Sequence, residues 1–186
     1  MRDLDEKRLI HQSLQGNDEA FYELISNYHT TVERFASQIG VHVNDLPDVT
    51  QEVFIKVYRF LNRYSYGKFS TWLYSVTLNV CKDFFRKQKR ERSKINKMKM
   101  ETTEGFYSFY DRLSEEASLL HEHILKMDEK YRVPIVLFYF HDLTISEIAK
   151  IIGMRENSVK TRLKRGKERL RMALEEGGQT DGFKSF

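Results

Sequence analysis

The chain has 186 residues, a net charge of +4 and a single cysteine, Cys81. One cysteine excludes an internal disulfide framework, and no Cys/His cluster has the spacing of a zinc site. Because residues 1–16 lack the apolar core of a signal peptide and no segment approaches the roughly 18 apolar residues of a membrane span, we expect a cytoplasmic protein without membrane insertion. We also expect no cofactor.

Apolar residues spaced mostly three or four apart predict an all-α chain. Asn17 or Asp18 is expected to cap the first helix, whose apolar pattern continues toward Gly40. A second helix follows Pro47 and has one apolar side, formed by Val49, Val53, Val57 and Phe60. A polar and aromatic loop, residues 62–68, precedes a third strong helix.

The third helix combines aromatic residues, a cysteine and a basic block. Aromatic rings stack on unpaired bases at about 1–3 kcal/mol per base while cations follow the phosphates, so the segment suits single-stranded nucleic acid. The aromatic residues beside the block are Trp72, Tyr74, Phe84 and Phe85. At helical spacing Trp72, Phe84 and Phe85 are each individually more typical of core, and Cys81 is expected to be buried. The residues expected to be reachable, in or beside the loop, are Tyr64, Tyr66 and Phe69.

From residue 93 to residue 113 the periodicity fades, which predicts a linker between two small helical domains, residues 1–92 and 114–175. Helices resume at residues 114–127 and 129–141, and residues 176–186 form a frayed tail. The apolar surface of the second of these helices is expected to come from Val133, Ile135, Val136, Leu137 and Phe140.

Residues 143–171 predict a helix-turn-helix. Thr144 and Glu147 form a capping box, and Gly153 ends the first helix because a residue without Cβ readily adopts the left-handed conformation. Ala149 and Gly153, which are small, are expected to allow close crossing of the two helices. The expected buried stripe of the first helix is Ile145, Ile148, Ala149 and Ile152.

The second helix of this motif begins near Glu156 and presents a dense cationic side. Between residues 156 and 171 there are seven Lys or Arg against two Glu. Like charges four apart destabilise a helix, so an anionic partner is expected, and the motif's geometry places this helix in the major groove of duplex DNA. The residues expected to be buried are Val159, Leu163 and Leu170. The cationic side consists of Lys160, Lys164, Lys167 and Arg171.

Charge is segregated along the chain. Residues 59–100 contain twelve Lys or Arg against two Asp or Glu, and residues 131–186 contain eleven against seven. Residues 1–58 contain five against ten, and residues 101–130 contain three against eight. Because counterion release depends on local positive density, two basic blocks indicate two separate contacts with a polyanion.

Three segments together resemble the bacterial sigma-70 family, specifically its compact extracytoplasmic-function (group 4) members. They are DVTQEVFIKVYRF, FSTWLYSVTLN and ISEIAKIIGMRENSVKTRLKRGKERLR, which start at Asp48, Phe69 and Ile145. The resemblance covers roughly residues 15–92 and 114–172, with the motifs in the family's order. It implies a sigma-2-like helical bundle joined by a linker to a sigma-4-like helix-turn-helix domain. It also implies a sigma factor that binds core RNA polymerase and promoter DNA and is held by an anti-sigma factor, frequently membrane-bound.

The resemblance assigns roles by position. The expected contacts with core polymerase are Asp48, Gln51, Glu52 and Phe54. The expected contacts with the −10 region are Tyr64, Tyr66, Phe69, Trp72, Asn79, Asp83, Arg86, Lys87 and Arg90. Near the −35 bases the resemblance places Lys160, Thr161, Lys164 and Arg165, and nearer the backbone Arg162, Lys167 and Arg169. Housekeeping relatives carry two adjacent tryptophans where this chain has Trp72 and Leu73, so weaker melting and stricter promoter choice are expected.

Two alternatives stay open at this stage. A stand-alone helix-turn-helix regulator would bind duplex DNA without polymerase. An enzyme is the weaker alternative, because no clustered carboxylate or histidine set has the spacing of a metal site. His121 and His123 lie two residues apart, hence on different helical faces, and are expected to face solvent.

Overall fold

The computed structural model describes residues 3–64, 67–95 and 115–176. Over these ranges the chain forms α-helices and two short 3₁₀ turns, and no strand, which confirms the all-α prediction. No helix within them is both long and apolar enough to cross a membrane. The helices are α1 Asp3–Leu14, α2 Asp18–Ser26, α3 His29–Gln38, α4 Leu46–Phe60, α5 Phe69–Ile95, α6 Glu115–Lys126, α7 Glu129–Tyr139, α8 Ile145–Ile152 and α9 Glu156–Glu176.

The chain divides into two compact units. The first consists of Met1–Ala36 and Asn44–Thr102, and the second of Ser37–Val43 and Thr103–Phe186. Most of the predicted linker, residues 93–113, and of the predicted tail, residues 176–186, lies outside the described residues. The predicted domain limits therefore stay predictions.

Helix α1 is an element that the apolar pattern does not predict. It packs against α2, and its adjacent residues Leu9 and Ile10 are buried. The hydroxyl of Tyr28 donates a hydrogen bond to the carboxylate of Glu6 on α1. Burial and this carboxylate together raise the pKa of Tyr28, so the phenol stays a donor. Leu9 and Ile10 are adjacent and surrounded by charged and polar residues, so they do not form the periodic apolar stripe from which a helix is predicted.

Asn17 caps α2, since its side chain accepts a hydrogen bond from the backbone of Ala20 at 2.9 Å. The apolar pattern continues to Gly40, yet the helix ends at Ser26 and α3 begins at His29. The side-chain amide of Asn27 donates to the carbonyl of Glu23 at 2.9 Å. Such local side-chain bonds compete with the helical ladder, which accounts for an interruption that apolar spacing alone does not reveal.

The core of the first unit forms where α4 packs against α5. Cys81 is buried, as predicted, and burial raises the pKa of its thiol to about 12. Tyr74, which the sequence groups with the basic block, is also buried and packs edge-on against Phe35 with ring centres 5.2 Å apart. Tyr74 therefore belongs to the core and is not available to bases.

In the second unit, α9 crosses α7 at Gly166. A Cβ built on Gly166 would lie 3.1 Å from Cγ1 and 3.3 Å from Cδ1 of Ile135, so the absent side chain is what allows this approach. The predicted close crossing at Gly153 is wrong, because a Cβ there would meet no atom within 4 Å. Gly153 has φ 67°, so its role is the left-handed turn that ends α8.

Helix α6 corrects a second prediction. His121 is 6% exposed and does not face solvent. Burial, followed by the positive charge of Arg132, lowers the pKa of His121 to about 4, so the imidazole is neutral near pH 7. Because the position of α6 around its axis depends on tertiary packing, two-residue spacing from His123 is a poor guide to exposure.

Candidate nucleic-acid and protein interfaces

The capping box that was predicted to begin the helix-turn-helix is present. The hydroxyl of Thr144 accepts a hydrogen bond from the backbone of Glu147 at 3.3 Å, and the Glu147 carboxylate accepts one from the backbone of Thr144 at 2.9 Å. The buried stripe of α8 is shifted, since Ile148, Ala149 and Ile151 are buried. The two remaining predicted members, Ile145 and Ile152, are only partly buried.

Helix α9 buries Val159, Leu163 and Leu170 against the second unit, as predicted. Lys160, Lys164, Lys167 and Arg171 recur at three- and four-residue spacing on another side and are exposed; this set is the α9 basic face. Its three lysines form no ion pair with any residue that the structure describes. Their charge is therefore available to an external anion.

Two further residues flank the α9 basic face. Thr161 and Arg165 are exposed on the side next to it. The Thr161 hydroxyl donates a hydrogen bond to the carbonyl of Asn157 at 2.9 Å, so it is engaged with its own helix. Together these residues extend the exposed surface over the first turns of α9, where recognition helices contact base edges.

Arg162 and Arg169 lie on the opposite flank of α9. Arg162 is partly buried. The guanidinium of Arg169 lies 3.6 Å from the carboxylate of Asp128 and 4.7 Å from the ring centre of Tyr131. The structure therefore separates this pair from the α9 basic face, and it gives Arg169 an internal partner that the sequence does not reveal.

In the first unit, the candidate −10 residues of α5 that follow Phe69 share one side of that helix. Counted from Trp72, the others follow after seven, eleven, fourteen, fifteen and eighteen residues, and each of these spacings returns to the same side of an α-helix. The strip spans about 27 Å at roughly 1.5 Å per residue. Trp72 is half-buried, and the other residues of the strip are exposed. This α5 strip consists of Trp72, Asn79, Asp83, Arg86, Lys87 and Arg90.

An aromatic cluster packs around Trp72 at the N-terminal end of the α5 strip. Trp72 packs against Tyr64 and Phe69, with ring centres 5.8 Å and 5.6 Å away. Tyr64 is partly buried, and its hydroxyl donates to the carbonyl of Gly67 at 2.6 Å. Tyr66 lies outside the described residues. The cluster presents Trp72 from a supported position.

Phe69 corrects the prediction of a reachable −10 contact. It is 1% exposed and packs between Tyr28 and Tyr64, with ring centres 5.3 Å and 5.6 Å away. Although Phe69 begins α5 beside the loop, its side chain points into the core, where burial of a phenyl ring contributes about 2–3 kcal/mol. Phe69 supports the aromatic cluster from within the core, and its ring is not accessible at the surface.

Asp83 joins the α5 strip to α4. Its carboxylate lies 3.3 Å from the ammonium of Lys56 and also binds the guanidinium of Arg86. Partial burial alone would raise the pKa of Asp83, but the hydrogen bonds from Lys56 and Arg86 outweigh it and lower the pKa. Asp83 is therefore an ionised acid within a cationic strip.

Helix α4 presents the candidate polymerase contacts. Asp48, Gln51 and Glu52 are exposed on one side of the helix. Phe54 is 9% exposed and stacks on His29 with ring centres 5.9 Å apart, so only part of its surface is accessible. Phe54 lies in the floor of a groove, and its role as a polymerase contact stays a prediction.

This groove, the α4 groove, has a volume of about 650 Å³ and opens between α2 and α4. Phe21 of α2 meets Tyr58 of α4 edge-on, with ring centres 4.9 Å apart. Tyr58 and Ile55 are 58% and 43% exposed although they are large and apolar. Ile55 and Tyr58 do not belong to the apolar stripe of α4, and this is the feature of the sequence that could have identified an exposed apolar surface. The lining residues are Phe21, Ile25, Gln51, Phe54, Ile55, Tyr58 and Arg59.

Comparison with known proteins places both units in one family. Residues 24–91 match Sigma-70 region 2, and residues 118–170 match Sigma-70 region 4. The ECF RNA polymerase sigma factor SigW of Bacillus subtilis is 30% identical over 181 residues, covering 90% of this chain and 96% of that protein. The ECF RNA polymerase sigma-E factor of Escherichia coli K12 is 28% identical over 176 residues, covering 89% and 92%.

Solved structures show the same fold. The sigma factor RpoE of Bartonella quintana, solved with the anti-sigma factor NepR, has a TM-score of 0.71 at 18% identity and covers 83% of this chain and 96% of that chain. CnrH, solved with the cytosolic domain of CnrY, has a TM-score of 0.68 at 21% identity and covers 92% and 98%. The chain belongs to the ECF sigma factors of the sigma-70 family, the RNA polymerase subunits that direct the polymerase to promoters.

Proposed function

We propose that the chain binds core RNA polymerase through α4, contacts the −10 element through the α5 strip and reads the −35 element through α9. The observation that carries this proposal is on the first unit. There, two packed helices present different chemistry, with an apolar groove beside acids on α4 and an aromatic and cationic strip on α5. The first suits a protein and the second suits nucleic acid.

Polymerase binding rests on the α4 groove and its acidic edge. Ile55 and Tyr58 supply exposed apolar surface, which is typical of the centre of a protein interface. Asp48 and Glu52, one turn apart, supply charge at the rim, where it speeds and orients association with a basic partner. Gln51 and the accessible edge of Phe54 complete the proposed contact.

Contact with the −10 region rests on the α5 strip. Trp72 is half-buried against its aromatic neighbours and is held where a separating base pair can stack on it. Leu73 is 3% exposed, so it does not act beside Trp72 as a second wedge. Asn79 and Asp83 lie in the path of the bases, and Arg86, Lys87 and Arg90 hold phosphates. A single wedge favours promoters whose −10 element opens easily.

Contact with the −35 region rests on α9. Lys160, Thr161, Lys164 and Arg165 face the bases from the first turns of the helix, while Lys167 holds phosphates. Arg162 and Arg169 remain candidates for the backbone. For Arg169 this requires a contact at the edge of the interface, because Asp128 and Tyr131 hold its guanidinium.

The proposal assigns no bond chemistry to the chain, which acts with polymerase in the cytoplasm. It also includes an anti-sigma factor, frequently membrane-bound in this family, that covers the α4 groove and its acidic edge. Support comes from the sigma factor RpoE of Bartonella quintana, which was solved in complex with the anti-sigma factor NepR. Occupation of the α4 groove would exclude the polymerase, so sequestration needs no change in fold.

The test is transcription from a genomic fragment library by purified chain and purified bacterial core polymerase. We expect discrete transcripts that core enzyme alone does not start. Absence of any chain-dependent transcript from the whole library contradicts the proposal. The stand-alone regulator, which is not favoured because both sigma regions match, would instead give a sharp duplex footprint without polymerase and no association with core enzyme.

A further inference from the structure

Lys56 on α4 reaches the DNA-facing strip of α5. Its ammonium lies 3.3 Å from Oδ2 of Asp83 and 3.9 Å from Oε1 of Glu52. The other oxygen of Asp83 accepts a hydrogen bond from Arg86. One carboxylate is therefore shared by a cation of α4 and a cation of α5.

The two cations differ in how firmly they are placed. The side chain of Lys56 is 28% exposed and that of Arg86 is 67% exposed. Arg86 also lies beside Lys87 and Arg90, which face outward along the same strip. An approaching phosphate can thus draw Arg86 away from Asp83, whereas Lys56 stays beside it.

Asp83 is an obstacle to that phosphate unless its charge is compensated. It is the one acid in the α5 strip, and like charges at close range repel. If Arg86 leaves Asp83 for a phosphate, the carboxylate keeps a cation only when Lys56 is present. Without Lys56, the pair of Asp83 and Arg86 is harder to separate, and Arg86 is withheld from DNA.

We propose that Lys56 is a positioning residue for the −10 contact: it neutralises Asp83 and so releases Arg86 to a phosphate of the separating strands. This inference rests on the proposed function, since it assigns a new residue to the same surface. Lys56 acts through Asp83 and does not itself touch DNA.

The test is a double-mutant cycle in the full chain, assembled with core polymerase. The substitutions are Lys56→Met, Asp83→Asn and both together, and the probe is a genomic promoter fragment selected by the wild-type holoenzyme. We expect Lys56→Met to weaken open-complex formation about threefold, the scale of an exposed ion pair. In the Asp83→Asn background the same substitution should change it less than about 1.5-fold.

Three controls separate positioning from a structural role. Lys56→Arg keeps the charge and should retain at least about half of wild-type open-complex formation. Thermal unfolding and association with core polymerase should be unchanged by Lys56→Met. An equal loss in both backgrounds overturns the inference, because Lys56 would then act independently of Asp83, and so does the absence of any loss. If the wild-type holoenzyme opens no promoter, the proposed function itself fails and the inference with it.

Discussion

The guanidinium of Arg169 lies over the ring of Tyr131, 4.7 Å from its centre, and within 3.6 Å of the carboxylate of Asp128. This relationship fastens the middle of α9 to the beginning of α7. It also divides the cations of α9 into two groups. Arg169 is engaged by its own unit, whereas Lys160 and Lys164 face outward.

Substitution of Arg169 by alanine should lower the free energy of unfolding by about 1 kcal/mol, because a cation–π contact and an ion pair are lost together. Lys164→Ala, the matched control on the α9 basic face, should change it by less than about 0.5 kcal/mol. Urea denaturation measures the first effect. Promoter binding by the holoenzyme should weaken roughly tenfold for Lys164→Ala and less for Arg169→Ala. Equal stability of Arg169→Ala and wild type would refute the internal role of Arg169.

Substitution of Gly166 by alanine should destabilise the protein by about 1 kcal/mol despite the higher helix propensity of alanine. The new Cβ would lie 3.1 Å from Ile135, which is buried and has little room to move. In an Ile135→Ala background the same change should become stabilising, because both crowding atoms are gone. Thermal unfolding of the four proteins decides the matter, and a stabilised Gly166→Ala single variant would show that α7 and α9 adjust freely.

Acid should weaken the fold through His121. Burial and Arg132 lower the pKa of His121 to about 4 from 6.5, so the unfolded chain binds a proton more readily than the folded chain. This contribution to stability is complete above pH 6.5 and is lost as the pH falls toward 4. Between pH 7 and pH 5, wild type should lose about 2 kcal/mol more of its unfolding free energy than His121→Gln. Parallel pH profiles for the two proteins would show that folding does not lower the pKa of His121.

Trp72→Ala should impair promoter melting selectively. Loss of a stacking surface at the end of the α5 strip should reduce open-complex formation on duplex DNA roughly tenfold. On a template whose −10 strands are already mismatched, the loss should be less than about threefold, because strand separation is no longer required. Permanganate reactivity of unpaired thymines measures both cases. The same loss on both templates would assign Trp72 to binding or folding and not to melting.

The predictions from sequence are confirmed where a structural feature depends on neighbouring residues alone. Thr144, Glu147 and Gly153 announce α8 and its end because caps and left-handed turns depend on neighbouring residues alone. The buried side of α9 is also predictable from the sequence, since Val159, Leu163 and Leu170 recur at helical spacing. The two-unit family assignment depends on the order of such local motifs.

Sequence reasoning fails where two elements must first come together. The α4 groove is lined by residues of two helices, so it exists only after α2 and α4 have packed together. Phe69 stands beside a loop in sequence, yet the packing of Tyr28 and Tyr64 turns its ring inward. The partners of Arg169 and the role of Gly166 likewise depend on how α9 packs on its own unit, which no single-helix pattern contains.

The most direct measurement for the whole account is association of the purified chain with purified core RNA polymerase. Wild type should co-elute with core enzyme, and a variant carrying Asp48→Lys and Glu52→Lys should not, because the acidic edge of the α4 groove has been reversed. The circular dichroism of that variant should match wild type, and its free energy of unfolding should fall by no more than about 1 kcal/mol, because both residues are exposed and Glu52 forms only a surface ion pair with Lys56. Undiminished association of the reversed variant, or failure of wild type to bind core polymerase, would contradict the account.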